Sequence, residues 1–158
     1  TDGMKRLLLL LPLLLTPAAA YANEIRMSCK GELDYSAITG SKKGIEVITE
    51  SFQEDGIFDA TWDIVINKNS GVSFAINPSD EQSPNDRAPF IETPTHYLME
   101  FKDRSNPMWD QKRKHQVNRT DGGYTFTWEV RRPEDGVLVW STPFFGKCIR
   151  QKRVKTLF

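Results

Sequence analysis

Hydrophobic and polar residues alternate with a period of two along much of this chain. The clearest stretch is 124–131, where aromatic or β-branched residues occupy the even positions and threonine, glutamate or arginine the odd ones. This period places the two sets on opposite faces of a β-strand. Turn residues follow at Pro133–Gly136, and Val137–Trp140 returns as a second strand. The pattern predicts a half-buried β-hairpin.

The same pattern recurs between turn residues along the rest of the chain. Further strand-like segments are 25–35, 45–53, 57–66, 72–76, 96–103, 111–119 and 144–149. No segment shows helical periodicity strong enough to predict a helix. Eight or nine short strands joined by tight turns predict an all-β fold, an antiparallel up-and-down meander.

Two of these segments depart from clean alternation. In 45–53, Ile45 and Val47 lie opposite Ile48 and Phe52, which predicts a strand that is bulged or buried on both faces. Segment 111–119 is strongly polar, which is typical of an edge strand protected by charge.

Cys29 and Cys148 are the only cysteines and lie near the two ends of the predicted domain. In an oxidising compartment such a pair predicts one disulfide, with two buried thiols or a redox pair as alternatives. A bridge between the first and last strands favours a small closed or nearly closed barrel. A polar edge at 111–119 favours the alternative, an open β-sandwich.

The first 22 residues have the pattern of a signal peptide. Basic Lys5–Arg6 is followed by apolar Leu7–Leu15 and by Ala20–Tyr21–Ala22, a small-x-small cleavage pattern. Thr1–Gly3 precede the methionine and are interpreted as non-native. We expect cleavage near Ala22 and export to the periplasm or the extracellular space, with a retained anchor as the alternative. Residues 23–158 are then one secreted domain without a membrane span.

Two segments fall outside the strand pattern. Residues 78–94 contain four prolines and predict a long loop, which is either disordered or contacts a partner. Phe90 and Ile91 in this loop, and Trp109 at the turn 106–110, are candidate partner-contact residues. Residues 150–158 form a basic tail, for which weak contact with anionic surfaces is an alternative to a solvated end.

Charge is divided unevenly between the two halves of the domain. Asn23–Pro94 carries 6 basic and 13 acidic residues, and Thr95–Phe158 carries 13 basic and 7 acidic residues. In a meander the halves form neighbouring strands, so we interpret the asymmetry as mutual neutralisation rather than as a polyanion site. No nucleic-acid partner is predicted.

The sequence contains no pattern of a known catalytic site. It lacks a Gly-x-Ser-x-Gly elbow, a His-Glu-x-x-His pair and a phosphate-binding glycine loop. Its two histidines, His96 and His115, lie on separate predicted strands without diagnostic ligand spacing, so no metal and no cofactor is predicted. We therefore expect a protein without enzymatic activity.

Aromatic residues on the apolar strand faces are the remaining candidates for function. Trp62, Tyr97, Tyr124 and Trp128 form the predicted ligand-binding set. A barrel of about eight strands either fills with side chains or holds one small ligand. The first hypothesis is binding of a small apolar or amphipathic ligand inside the barrel, and plain core packing is the competing interpretation. The second hypothesis is an exported interaction or inhibitor module that acts through its loops.

Overall fold

The computed structural model describes residues 23–78, 86–103 and 106–151. Its strands are β1 (Glu24–Leu33), β2 (Thr39–Gly40), β3 (Asp59–Asn67), β4 (Val72–Ile76), β5 (Asp86–Glu92), β6 (His96–Asp103), β7 (Asp110–Asn118), β8 (Gly123–Arg131) and β9 (Leu138–Arg150). Its helical segments are a 3-10 turn at Tyr35–Ala37 and the helix α1 at Lys42–Asp55. The predicted signal peptide lies outside the described residues, as do 152–158 of the basic tail.

The strands form one antiparallel sheet that closes on itself. Its order is β1-β3-β4-β5-β6-β7-β8-β9, and β9 also pairs with β1. Eight strands therefore form a closed barrel, while β2 pairs only with the first part of β9. The predicted all-β meander and its barrel form are confirmed, and the open sandwich is excluded.

The predicted disulfide is present and ties the two ends of the meander together. Cys29 on β1 lies directly opposite Cys148 on β9, and the two are bonded. They are separated by 119 residues in sequence. The bond therefore reinforces the strand pair that closes the barrel.

The strand prediction for 45–53 is wrong, because this segment belongs to α1. The Ser41 hydroxyl caps the helix by accepting a hydrogen bond from the Gly44 N–H at 3.0 Å. Gly44, Ile48 and Phe52 are its buried residues, at the four-residue spacing of one helical face. Gly56 ends the helix in the left-handed conformation, at φ 66°.

Gly44 allows α1 to lie close against β9. A side-chain methyl at this position would collide with the carbonyl oxygen of Val139. Alanine normally stabilises a helix interior by about 1 kcal/mol relative to glycine. We expect Gly44→Ala instead to lower the free energy of unfolding by about 2 kcal/mol, since backbone must move to make room. Urea denaturation measures this, with Glu46→Ala on the exposed face as the control. A stabilised Gly44→Ala variant contradicts the close approach.

The edge-strand prediction for 111–119 is also wrong, since β7 pairs with β6 on one side and β8 on the other. Its charges have partners across the sheet. On the outer face, Lys112 lies 3.4 Å from Glu100 and Lys114 lies 2.9 Å from Glu129. Although burial opposes ionisation, hydrogen bonds from Lys114 and Arg131 hold the pKa of Glu129 below its ordinary value.

The predicted loop 78–94 contains strand β5, while 79–85 lie outside the described residues. Residues 86–89 of β5 pair with β4, whereas residues 90–92 pair with β6. Pro89, which has no N–H to donate, lies where the partner changes. The prolines therefore mark a change of strand partner within a segment that is otherwise extended. The pairing of β5 with β6 joins Phe90–Glu92 to Tyr97–Met99.

Candidate functional site

The barrel interior differs between its two ends. One end, here called the helix end, carries α1 and the last residues of β4, β6 and β8. Towards the opposite end the inward side chains are buried, among them Ile66, Met99 and Val117. At the helix end several inward side chains are only partly buried, and we call this group of residues the mouth. Its six residues are Trp62, Asp86, Asp103, Gln111, Arg113 and Trp128.

An ion cluster forms one side of the mouth. The Arg113 guanidinium on β7 reaches past β6 and makes a two-pronged contact with the Asp86 carboxylate on β5, with both N–O distances 2.6 Å. Its Nη1 also donates to Asp103 on β6 at 3.2 Å. Although burial opposes the charge, the two carboxylates raise the pKa of Arg113 above its ordinary value. The cluster joins three strands from inside the barrel. Its Arg113–Asp86 pair links the basic half of the sequence to the acidic half.

Aromatic side chains form the other side of the mouth. The Trp128 indole N–H donates to the Gln111 side-chain oxygen at 3.2 Å, which fixes the orientation of the indole ring. Phe52 of α1 stacks on Trp128 with ring centroids 6.1 Å apart. Trp140 contacts Trp128 edge-on, with ring centroids 5.4 Å apart. The helix therefore helps to build the wall of the mouth.

His115 lies beneath the mouth, two positions along β7 from Arg113. Its Nδ1 is 2.6 Å from the Tyr124 hydroxyl, and its ring lies edge-on to Trp62 at 5.2 Å. Its Nε2 is buried and has no hydrogen-bond partner among the described residues. Burial, with a smaller contribution from the nearby Arg113 charge, lowers the pKa of His115 to about 3. The imidazole is therefore neutral at physiological pH.

The four predicted ligand-binding residues all face inward, but only two of them reach the mouth. Trp62 and Trp128 are half-buried there, whereas Tyr124 is buried beneath His115. Tyr97 lies at the opposite end of the barrel, where its ring packs against Phe90 with centroids 6.3 Å apart. The structure therefore brings together two candidates and places the two tyrosines in the core.

The three predicted partner-contact residues do not share a surface. Phe90 faces inward, whereas Ile91 is on the outer face and is 63% exposed. Trp109 lines an open cleft outside the mouth, between residues 107–109 and the β8–β9 connection. The cleft has a volume of about 570 Å³ and is lined by Pro107, Met108, Trp109, Arg132, Pro133 and Glu134.

Sequence reasoning missed the polar half of the mouth. The sequence pattern predicts a loop at Asp86 and an edge strand at Arg113. One signal was present, because Gln111, Arg113 and His115 share a strand face with Val117. That face would be apolar in an ordinary barrel strand, so its polar residues mark an unusual interior.

The fold defines a class, the small closed antiparallel β-barrels with a helix at one end. Comparison with protein-family models, with curated proteins and with solved structures finds no match to this chain. Within 23–78, 86–103 and 106–151, no helix is long and apolar enough to cross a membrane. The same residues include no group of three or more His, Cys, Asp or Glu side chains placed to hold a metal ion.

Proposed function

We propose that this protein is an exported, non-catalytic binding protein that holds a small amphipathic ligand at the mouth. The observation that supports this most directly is that Trp62 and Trp128 face into the barrel and yet keep solvent access. Inward-facing aromatic side chains in a fully packed barrel are covered by their neighbours, as Phe126 is here. The two indoles therefore present apolar surface that a ligand can cover.

The chemistry of the mouth suits a ligand with an apolar part and a polar part. Small-molecule sites combine hydrophobic and aromatic walls with a few fixed polar groups that orient the ligand. Here the indoles supply the wall, and the ion cluster of Arg113, Asp86 and Asp103 supplies the polar groups. The hydrogen bonds within this cluster hold those groups in place before a ligand arrives, which reduces the entropy cost of binding.

Indole NMR tests the location of the site, because the mouth contains Trp62 and Trp128 whereas the cleft is lined by Trp109. We expect a neutral amphiphile such as decanol to shift the indole N–H signals of Trp62 and Trp128. Trp128→Ala is expected to weaken binding by about tenfold, because a large aromatic contact is lost. Trp109→Ala, at the cleft, serves as the matched control and should bind normally. An unchanged affinity in Trp128→Ala contradicts the assignment.

A second candidate function is protein binding at the cleft that Trp109 lines. Met108 is 72% exposed there, on a turn where its N–H bonds the Asn106 side chain at 2.9 Å. A large apolar side chain on a fixed turn is suited to insert into a partner. If decanol shifts only the Trp109 signal, the cleft and not the mouth is the binding site.

A further inference from the structure

His115 and Tyr124 form a buried polar pair beneath the mouth. Both side chains are almost inaccessible to solvent, and the Tyr124 hydroxyl is 2.6 Å from the Nδ1 of His115. Among the described residues this nitrogen is the only hydrogen-bond partner of the hydroxyl. Since a buried hydroxyl proton without an acceptor costs free energy, the hydroxyl donates and Nδ1 accepts.

The direction of this hydrogen bond specifies where the imidazole carries its proton. Burial lowers the pKa of His115 to about 3, so the ring is neutral at pH 7. A neutral imidazole has one N–H donor and one acceptor nitrogen. Because Nδ1 is the acceptor, Nε2 carries the proton. This N–H is buried and has no hydrogen-bond partner among the described residues.

A buried donor of this kind calls for a physical reason. Most buried polar groups in proteins are hydrogen-bonded, and a buried donor without a partner lowers stability. Packing alone does not require one, because two phenylalanine rings would fill the positions of His115 and Tyr124 without this cost. A ligand that accepts a hydrogen bond from Nε2 removes the cost and gains affinity from it.

The unpaired N–H is directed away from the closed end of the barrel. Across the sheet His115 lies opposite Phe126, whereas Tyr124 lies opposite Val117, two positions further from the helix end. The Nδ1 of His115 therefore points towards the end of the barrel that is filled with side chains. The two nitrogens of an imidazole point in divergent directions, so Nε2 points away from Tyr124, on the side of the mouth.

The aromatic rings around His115 leave one side on which a ligand can approach. Four rings contact the imidazole, and three of them are buried, namely those of Phe101, Tyr124 and Phe126. The fourth ring, Trp62, is only partly buried and has its centroid 5.2 Å from that of His115. Because Nε2 is covered, the Trp62 indole must turn aside as a head group enters, a motion that closely packed rings cannot make.

The surroundings of Nε2 select a neutral acceptor. An ammonium ion has no acceptor, and an ion of either sign loses its hydration when it is buried among aromatic rings. A hydroxyl group can accept from Nε2 but brings a proton of its own, which these rings leave without a good acceptor. A carbonyl oxygen accepts the hydrogen bond and brings no donor.

From this arrangement, and resting on the function proposed above, we propose that the ligand carries a neutral carbonyl group whose oxygen accepts a hydrogen bond from the Nε2–H of His115. The apolar part of the ligand lies against Trp62 and Trp128. Tyr124 is a positioning residue, because its hydroxyl holds the imidazole in the tautomer that donates.

Nitrogen NMR of the imidazole rings tests this inference in the unmodified mature protein. The chain has two histidines, His96 and His115, so the variant His96→Phe assigns their signals. In the free protein we expect His115 to have a protonated Nε2 and an unprotonated Nδ1. Binding of 2-decanone should move the Nε2–H proton signal to higher frequency, as a new hydrogen bond does, and should also shift the indole signals of Trp62 and Trp128. Decanol should shift the indole signals alone.

A double variant removes the donor together with the hydroxyl that orients it. His115→Phe combined with Tyr124→Phe replaces both partners by apolar rings of similar shape, which a buried site tolerates. We expect 2-decanone to bind about fivefold more weakly, as the loss of one hydrogen bond predicts, and decanol to change by less than about twofold. His96→Phe, at the opposite end of the barrel, is the matched control and should bind both probes normally.

The outcomes separate this inference from the function on which it rests. If 2-decanone shifts the indole signals but not the His115 signal, the carbonyl contact is wrong and the proposed function stands. The same holds if Nε2 is unprotonated in the free protein, or if decanol loses as much affinity as 2-decanone in the double variant. If neither probe shifts the signals of Trp62 and Trp128, both proposals are wrong. NMR of the unmodified protein decides this even if the double variant does not fold.

Discussion

Replacing Cys29 and Cys148 with alanine is expected to lower the free energy of unfolding by about 4 kcal/mol. The disulfide closes a loop of 119 residues, and cross-links of this span remove a large part of the entropy of the unfolded chain. Cys29 is fully buried, so the loss of packing adds to the effect. Urea denaturation of the mature protein, followed by circular dichroism, measures the change.

The single variants Cys29→Ala and Cys148→Ala provide the control. Because the bond exists only when both sulfurs are present, each single replacement should destabilise the protein about as much as the double one. Two single effects that add up to the double effect would falsify the assumption that the bond dominates. A total loss of less than about 1 kcal/mol would show that the paired strands β1 and β9 close the barrel without it.

Replacing Arg113 with methionine is expected to destabilise the protein by about 3 kcal/mol. Methionine keeps much of the side-chain volume but removes the cation that contacts Asp86 and Asp103 in a largely buried position. Removing one partner of a buried ion pair is costly because an uncompensated charge stays behind. Lys112→Met, one position away on the outer face, removes an exposed pair at 3.4 Å and should cost less than about 1 kcal/mol.

A triple variant separates lost charge balance from lost packing. Arg113→Met combined with Asp86→Asn and Asp103→Asn also removes the charges of both carboxylates that contact Arg113. We expect it to recover more than about half of the stability lost in Arg113→Met alone, since neutral amides tolerate burial better than carboxylates. A triple variant as unstable as the single one indicates that the cost comes from packing and not from charge.

The architecture could be predicted from the sequence because it depends on alternation within single strands and on one covalent cross-link. Alternation along 124–131 appears directly as β8, and the lone cysteine pair specified which strands meet. Helix α1 was missed for a physical reason. Glycine occupies one of its three buried positions, and Val47 is exposed, so the hydrophobic spacing of four was visible only at Ile48 and Phe52.

The site was only half predictable. Trp62 and Trp128 follow from strand alternation, which identifies inward-facing residues. The ion cluster depends on how far the guanidinium of Arg113 reaches across β6, and on the position of Asp86 at the start of β5. Both depend on strand register in three dimensions, which no local pattern along the chain specifies.

Strand β5 changes partner at Pro89, and this makes one side of the barrel mechanically different from the other. Where β1 meets β9, the wall is held by a continuous ladder and a covalent bond. Between β5 and β6 the ladder among the described residues is short, joining Phe90–Glu92 to Tyr97–Met99, and beyond it the Arg113 side chain links the two strands by contacting Asp86 and Asp103. Local opening costs least where backbone hydrogen bonds are fewest. We therefore expect local opening of the barrel wall to begin between β5 and β6 and not between β1 and β9, where the disulfide lies.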